Sequence, residues 1–362
     1  MNKLVCFHLF NDYSGSPKVL RLVLGELAER GVNIDLVTSC GDGALSDLSQ
    51  WSNVQISSYA YRFSDNPLIT MGRYLWVQFY TFCLAWRYLF SRGTVFYVNT
   101  ILPVGPALAG RLMGKRVVYH YHENAFVKGA FYKLLARAMQ ALASEIVCVS
   151  AYQRSFLKRE KNVYVVPNAV PRGFVERLCP NPEAAFERKR VLMLGSLKRY
   201  KGTLEFIELA RRLNDISFEL VLNETPENIA VFWQDNKIEN LKNLEVYPRR
   251  NDVVPFYNRA SVVLNLTDKT QAIETFGLTA LEALSAGLPV VVPTVGGIAE
   301  LVDDGYNGYK IDVQELDRIA DCIRKILSDK ALYVCLSGNA LNCSKRYDVR
   351  SMIEHIVACI EK

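Results

Sequence analysis

A chain of 362 residues is too long for one ordinary hydrophobic core and sets an expectation of two domains. Half of its residues are hydrophobic, which excludes a disordered or fibrous chain. The net charge of +6 is too modest to point to nucleic acid, although it suits phosphorylated ligands or an anionic surface. The nine cysteines form no CxxC pair, and several, such as Cys6, Cys148 and Cys322, lie in apolar runs. They read as reduced core residues of a cytoplasmic protein and suggest no zinc site.

Residues 4–9 read as a first strand that runs directly into a polar loop containing Gly15, which is not the pattern of a signal peptide. Pro17 opens a helix at its favoured first position, and that helix stops at Gly31. Strands follow at 34–38, 54–58, 95–99, 117–121, 146–149 and 163–166. Between the second and third of these, residues 74–90 (YLWVQFYTFCLAWRYLF) form the most aromatic stretch of the chain, flanked by Arg73 and Arg92. It falls short of the roughly 20 apolar residues that span a bilayer, so it is either a buried core helix or a helix lying on a membrane surface. Residues 180–190 (PNPEAAFERKR) shift composition and read as a hinge. A second alternating series then has strands at 191–194, 218–222, 244–247, 262–266 and 290–292, closed by helical patterns over 313–345 and 349–360. Strands alternating with helices imply parallel sheets. Two doubly wound domains of this kind bind ligands at the carboxyl ends of their strands, and the cleft between them is the expected site.

The second series is organised around residues 274–300, ETFGLTALEALSAGLPVVVPTVGGIAE. A helix is expected over 277–286, stopped by Gly287 and Pro289, with a buried strand at 290–292. Gly277, Leu278 and Thr279 then sit at a helix N-terminus, where unpaired amides and the positive end of the helix dipole favour a phosphate. Glu274 and Glu282 are eight residues apart, roughly 12 Å along a helix. That reach suits the two ends of an extended sugar nucleotide, whereas as an isolated pair they would read as solvated surface charges. The loop at 195–202, GSLKRYKG, follows a strand and precedes a helix, the usual setting for a diphosphate.

The ordered run from Glu274 through FG, Glu282, LEALSAGLPVV and VGGIAELVDDGYNG resembles the donor-binding core of family 4 retaining glycosyltransferases, the glycosyl transferases group 1. The resemblance implies the GT-B fold: an α/β chain of two Rossmann-like domains facing each other across a cleft. It divides the chain into an acceptor-binding domain over 1–187 and a donor-binding domain over 188–346, with a helix over about 347–362 packing back on the first. It also assigns residues. GSLKRYKG resembles the family's Gly-Arg-Leu followed by Lys-Gly, which makes Lys201 the diphosphate lysine. Ser196 stands where the family has arginine, leaving Lys198 or Arg199 to supply a second cation.

Gly15 resembles a glycine-rich loop that approaches the donor, with the usual glycine pair reduced to one. In VVYHYHEN, His122 beside Glu123 resembles the family's histidine and acid at the transfer centre, while His120 lies on the same face but deeper. Ser150 and Asn168 resemble structural landmarks. The catalytic assignment is therefore His122 and Glu274; the donor contacts are Gly15, Ser196, Arg199, Lys201, Gly277, Leu278, Thr279 and Glu282.

Members of the family generally work without a bound metal, and no DxD pair stands out here. The expected activity is transfer of a sugar from a UDP- or GDP-sugar to a glycan acceptor, with the aromatic helix suggesting a lipid-linked acceptor at the cytoplasmic membrane face, as in capsule or other surface polysaccharide assembly. Two other readings remain: a sugar-nucleotide epimerase of the same fold, and a noncatalytic glycosyltransferase-like scaffold, for which Ser196 is the best support.

Overall fold

The computed structural model describes residues 3–126 and 129–361. The chain divides into two compact units, Met1–Asn168 with Arg350–Lys362, and Ala169–Val349.

The first unit is a seven-stranded parallel sheet with helices on its faces. In chain order its elements are β1 (Lys3–Phe7), α1 (Gly15–Glu29), β2 (Ile34–Ser39), β3 (Val54–Tyr59), α2 (Pro67–Ala85), β4 (Thr94–Asn99), α3 (Val104–Leu112), β5 (Arg116–Tyr121), α4 (Ala130–Leu142), β6 (Glu145–Cys148), α5 (Ala151–Ser155) and β7 (Val163–Val165). The strand order is β3-β2-β1-β4-β5-β6-β7. β1 leads outward through β2 to β3, and the chain then returns to place β4 on the other side of β1. That reversal between β1 and β4 opens a crevice at their carboxyl ends. β2 and β4 are buried at every position, as strands covered on both faces must be.

The second unit contains α6 (Arg172–Val175), α7 (Pro182–Arg188), β8 (Arg190–Gly195), α8 (Thr203–Arg212), β9 (Ser217–Leu222), α9 (Pro226–Asp235), β10 (Leu244–Tyr247), α10 (Val254–Arg259), β11 (Val262–Leu264), α11 (Leu278–Ser285), β12 (Val290–Val292), β13 (Gly308–Lys310), α12 (Leu316–Ser328) and α13 (Lys330–Ser344). Its parallel sheet has the order β10-β9-β8-β11-β12-β13, so the equivalent reversal lies between β8 and β11. A last helix, α14 (Val349–Glu361), returns almost entirely to the first unit. Arg116 on β5 holds its end, Nη1 donating to the carbonyl of Ile360 and Nη2 to that of Cys359 at 2.9 Å each.

Several expectations change. The stretch at 180–190 is not a hinge. Asn181 caps α7 by accepting from the Ala184 amide, Pro182 takes the first turn, and Phe186 packs on Tyr333 with ring centroids 5.5 Å apart. These contacts tie α7 into the second unit, so the boundary falls after Asn168 and not after residue 187. α1 starts at Gly15, two residues before Pro17, because Ser14 already has extended backbone and Asp12 accepts from its amide at 2.9 Å. The pattern over 313–345 breaks at Asp329, which caps α13 through the Leu332 amide. The edge strand β13 was not expected. Gly308 lets it approach, since a Cβ there would lie 2.3 Å from the Val290 carbonyl oxygen.

Helix α2 does not match a buried core helix. Only Tyr74, Val77, Thr81 and Ala85 are buried, with Phe82 and Leu84 packed partly against the core, while Trp76 is 64% and Phe79 60% exposed.

Candidate functional site

Lys201 and Glu274, two of the residues expected to meet a donor, come together at the reversal of the second sheet. β8 ends at Gly195 and its loop turns through a short helical turn at Arg199–Lys201 into α8. Gly202, at φ +76°, makes that turn; a Cβ there would sit 2.4 Å from both the Cβ and the carbonyl oxygen of Leu266. The close approach brings the loop after β8 against the loop after β11. Lys201 Nζ thereby forms an ion pair with Glu274, 73 residues later, and Thr267 Oγ1 donates to the same carboxylate oxygen at 3.0 Å. Burial works against charge on both partners, but each partner's charge and hydrogen bonds outweigh it. The Lys201 ammonium is held above its ordinary value and the Glu274 carboxyl below its own, with Asn265 adding a further hydrogen bond to Glu274.

Helix α11 starts immediately afterwards. Gly277 is its N-cap at φ +94°, and its carbonyl accepts from Ala280 and Leu281, the first helical amides with a partner inside the helix. The amides of Leu278 and Thr279 precede that ladder, as the first turn of a helix dictates. Glu282, about one turn on, accepts from Tyr257 Oη at 2.6 Å. Tyr257 is almost fully buried, and desolvation together with the neighbouring carboxylate holds its hydroxyl well above the ordinary range, so it stays a donor. The glutamate is thus fixed by a rigid ring, unlike a solvated surface charge.

Gly277 is required twice over, for its backbone and because a Cβ would lie 2.4 Å from Ile298 Cγ1. Gly277→Ala is expected to lower the melting temperature of the second unit. The left-handed backbone alone costs about 1–2 kcal/mol for a residue with a Cβ, and the collision adds to it. An unchanged calorimetric melt would contradict this role.

The other residues expected to meet a donor stand apart from the ion pair. Ser196 contributes its carbonyl, which accepts from Thr203 Oγ1 at 3.1 Å. Arg199 is engaged by Glu205 at 2.6 Å, which raises its basicity, and Lys198 is exposed. Neither stands in contact with Glu274 beside Lys201.

His122 and Gly15 belong to the first unit, at the reversal between β1 and β4. His122 follows β5, and its Nε2 lies 3.0 Å from Asn99 Oδ1 at the end of β4. Asn99 Nδ2 faces His8 Nδ1 at 3.1 Å and the Ser16 carbonyl at 3.5 Å. A carbonyl can only accept, so the amide must turn its NH2 towards Ser16 and its oxygen towards His122, whose proton then sits on Nε2. His120 lies deeper, its ring centroid 4.1 Å from that of His122 and its Nδ1 2.7 Å from Tyr97 Oη.

Burial lowers all three imidazoles: His8 to about 4, His120 to about 3, and His122 well below its ordinary value. The cluster is therefore neutral at pH 7. Thr100, next to Asn99, adopts φ +71°, a strained conformation for a β-branched residue. Gly15 is exposed at the first turn of α1. Ser150 caps α5 through the Gln153 amide at 3.1 Å, a structural role.

Sequence reasoning missed Asn265, Thr267 and Tyr257 around the glutamates, and His8 and Asn99 around His122. The one available signal was shared: each lies in or beside an apolar strand or helix where a polar side chain needs a partner.

Comparison with known proteins supplies the family. Residues 13–173 match the family described as Glycosyltransferase Family 4, and residues 180–342 match Glycosyl transferases group 1. An uncharacterised glycosyltransferase of Methanocaldococcus jannaschii is 26% identical over 212 residues, which cover 57% of this chain and 56% of that protein. The Escherichia coli UDP-Gal:alpha-D-GlcNAc-diphosphoundecaprenol alpha-1,3-galactosyltransferase is 24% identical over 281 residues, covering 67% of this chain and 69% of that one. The chain thus spans about half the length of the first of these relatives. Among solved structures, Anabaena HepE in complex with UDP-glucose superposes with a TM-score of 0.79 at 18% identity over 99% of both chains, which shows the fold. The two family matches lie end to end over most of the sequence, and the GT-B architecture agrees with them: the chain belongs to the group 1 glycosyltransferases.

Proposed function

We propose that the chain is a retaining glycosyltransferase that moves a sugar from a UDP- or GDP-sugar to a glycan acceptor carried on a lipid, in surface polysaccharide assembly at the cytoplasmic membrane face. The observation that carries this reading is the Lys201–Glu274 ion pair set just before the start of α11, with Glu282 held by Tyr257 farther along the same helix.

The chemistry follows from charge. As the bond between the sugar and the diphosphate breaks, negative charge accumulates on the leaving group. The Lys201 ammonium and the amides of Leu278 and Thr279 are fixed donors that bind that charge more strongly than the intact donor. Glu274 holds Lys201 charged and in place and is assigned to the donor sugar, where its own charge steadies a carbon turning positive. Glu282 is assigned to the ribose hydroxyls. In the first unit, neutral His122 is assigned to the transfer centre and the Gly15 amide to a donor contact. No covalent nucleophile is needed for this assignment. For the acceptor, the support is the E. coli relative, whose name specifies a diphosphoundecaprenol-linked sugar, and for the donor base it is that relative's UDP-Gal and the UDP-glucose bound to HepE.

The test is incubation of the purified chain with radiolabelled uridine, guanosine and adenosine sugar nucleotides and a membrane lipid extract. Label in the lipid fraction is expected. An altered free sugar nucleotide would replace this reading with an epimerase, and absence of binding by calorimetry would replace it with a scaffold. Because Lys201 and the helix amides carry the diphosphate's charge, transfer is also expected to survive an excess of EDTA; abolition by EDTA, restored by a divalent metal, would show a metal doing that work.

A further inference from the structure

We infer that the outer layer formed by α2, α3 and α4 of the first unit is a docking face for an anionic lipid bilayer, on which the chain lies without crossing it. This deepens the proposed transfer to a lipid-carried acceptor, and rests on that reading for its purpose though not for the binding itself.

The apolar surface is concentrated there. Of the twenty large hydrophobic side chains exposed among the described residues, fifteen fall between Phe63 and Leu134. Leu75, Trp76, Phe79 and Phe90 of the α2 region are each more than half exposed, as are Leu112 at the end of α3 and Leu134 of α4. The three helices form one continuous layer. A Cβ on Gly105 of α3 would lie 2.1 Å from the Gln78 carbonyl oxygen of α2, so their backbones touch. Tyr74 of α2 packs on Phe131 of α4 at 5.6 Å between ring centroids. Helix α2 spends its inner stripe on the core, and its remaining apolar residues, the exposed Trp76 and Tyr80 among them, have the composition of a helix seated at a headgroup boundary. No helix among the described residues is long and apolar enough to cross a membrane.

Charge selects the occupant. Residues 60–142 carry ten Lys and Arg against two Asp and Glu, more positive than the +6 of the entire chain, so the rest of the sequence is net acidic. Arg62, Arg73, Arg92, Arg111, Lys133 and Arg137 are exposed along this layer. A second copy meeting this face about a two-fold axis would set these cations against their own kind. An anionic bilayer accepts both the aromatic side chains and the arginines, whose charge its headgroups attract.

The experiment is cosedimentation of the full chain with vesicles of phosphatidylglycerol and phosphatidylcholine, and with phosphatidylcholine alone. Two variants are compared with the natural chain: Trp76→Ser with Phe79→Ser, and Arg111→Glu with Arg137→Glu. The expected result is binding to the anionic vesicles that weakens with salt and falls at least about tenfold in each variant, while melting temperature and calorimetric affinity for nucleotide stay unchanged. The inference is overturned if the natural chain does not bind anionic vesicles, if both variants bind as it does, or if velocity sedimentation shows a dimer that the serine variant dissolves. Detergent-solubilised acceptor separates the two failures. Transfer to it without vesicle binding would remove the docking face and leave the transferase, and vesicle binding without any transfer would do the reverse.

Discussion

Lys201→Ala is expected to reduce kcat/KM for the sugar nucleotide by at least about tenfold, equivalent to roughly 1.4 kcal/mol of transition-state stabilisation. The effect has two parts that further variants separate. The alanine removes the cation proposed for the leaving diphosphate, and it leaves the Glu274 carboxylate with burial but without its counter-charge. Its carboxyl then moves back up, because the charge that held it down is gone while the desolvation remains. Lys201→Arg keeps the charge and should recover part of the rate. The double variant Lys201→Ala with Glu274→Ala should lose less than the sum of the two single losses, as expected for side chains in contact.

The pair also sets a pH window. Glu274 is lowered from 4.5, so its stabilisation holds above that pH and fades in acid; Lys201 is raised from 10.5, so its stabilisation holds below that pH and fades in alkali. Wild-type kinetics in Lys201→Ala, or in Glu282→Ala, for which a similar tenfold loss is expected, would dismantle the donor site.

Lowering the pH from 7 to 5 should loosen the first unit far more than the second. His8 and His120 are buried neutral with values near 4 and 3, whereas in the unfolded chain each takes up a proton near 6.5. The unfolded state therefore binds more protons through this interval, and stability is present above 6.5 and lost as pH falls. For each of these imidazoles the loss at pH 5 is about 2 kcal/mol, and His122 acts in the same direction. Hydrogen exchange followed by mass spectrometry reads the effect locally. After correction for intrinsic rates, protection of β1, β4 and β5 should drop by more than about tenfold, with the strands of the second unit holding theirs. Equal protection at both pH values would mean that the histidines are not buried neutral.

The parts of the site that were legible in the sequence are those whose meaning is local. Gly277 and the residues behind it read as a helix start from the local sequence, because LTALEALS is a run of mostly good helix formers ended by Gly287 and Pro289. Lys201 and Glu274 could be singled out one at a time, but their ion pair could not, since it depends on β8 and β11 lying side by side, a fact of strand order. Asn99 was invisible for the same reason. It ends an apolar strand without any motif, and it acquires a role only when β1, β4 and β5 bring His8 and His122 to either side of it. The aromatic helix shows the opposite limit. Its composition suits burial and exposure equally, and only the spacing of the four residues that meet the core decides which side chains are left over. β13, three residues long and entered through a glycine, lacks the run of branched side chains that marks a strand.

The return of α14 to the first unit bears on how the polypeptide is made. Met352, Ile353, Ile356 and Ile360 fill the place that Arg116 closes, yet they leave the ribosome after the whole of residues 169–349. The half synthesised first is consequently the half completed last. Throughout translation of the second it must carry an open apolar seat, which makes the unfinished chain a natural client for chaperones.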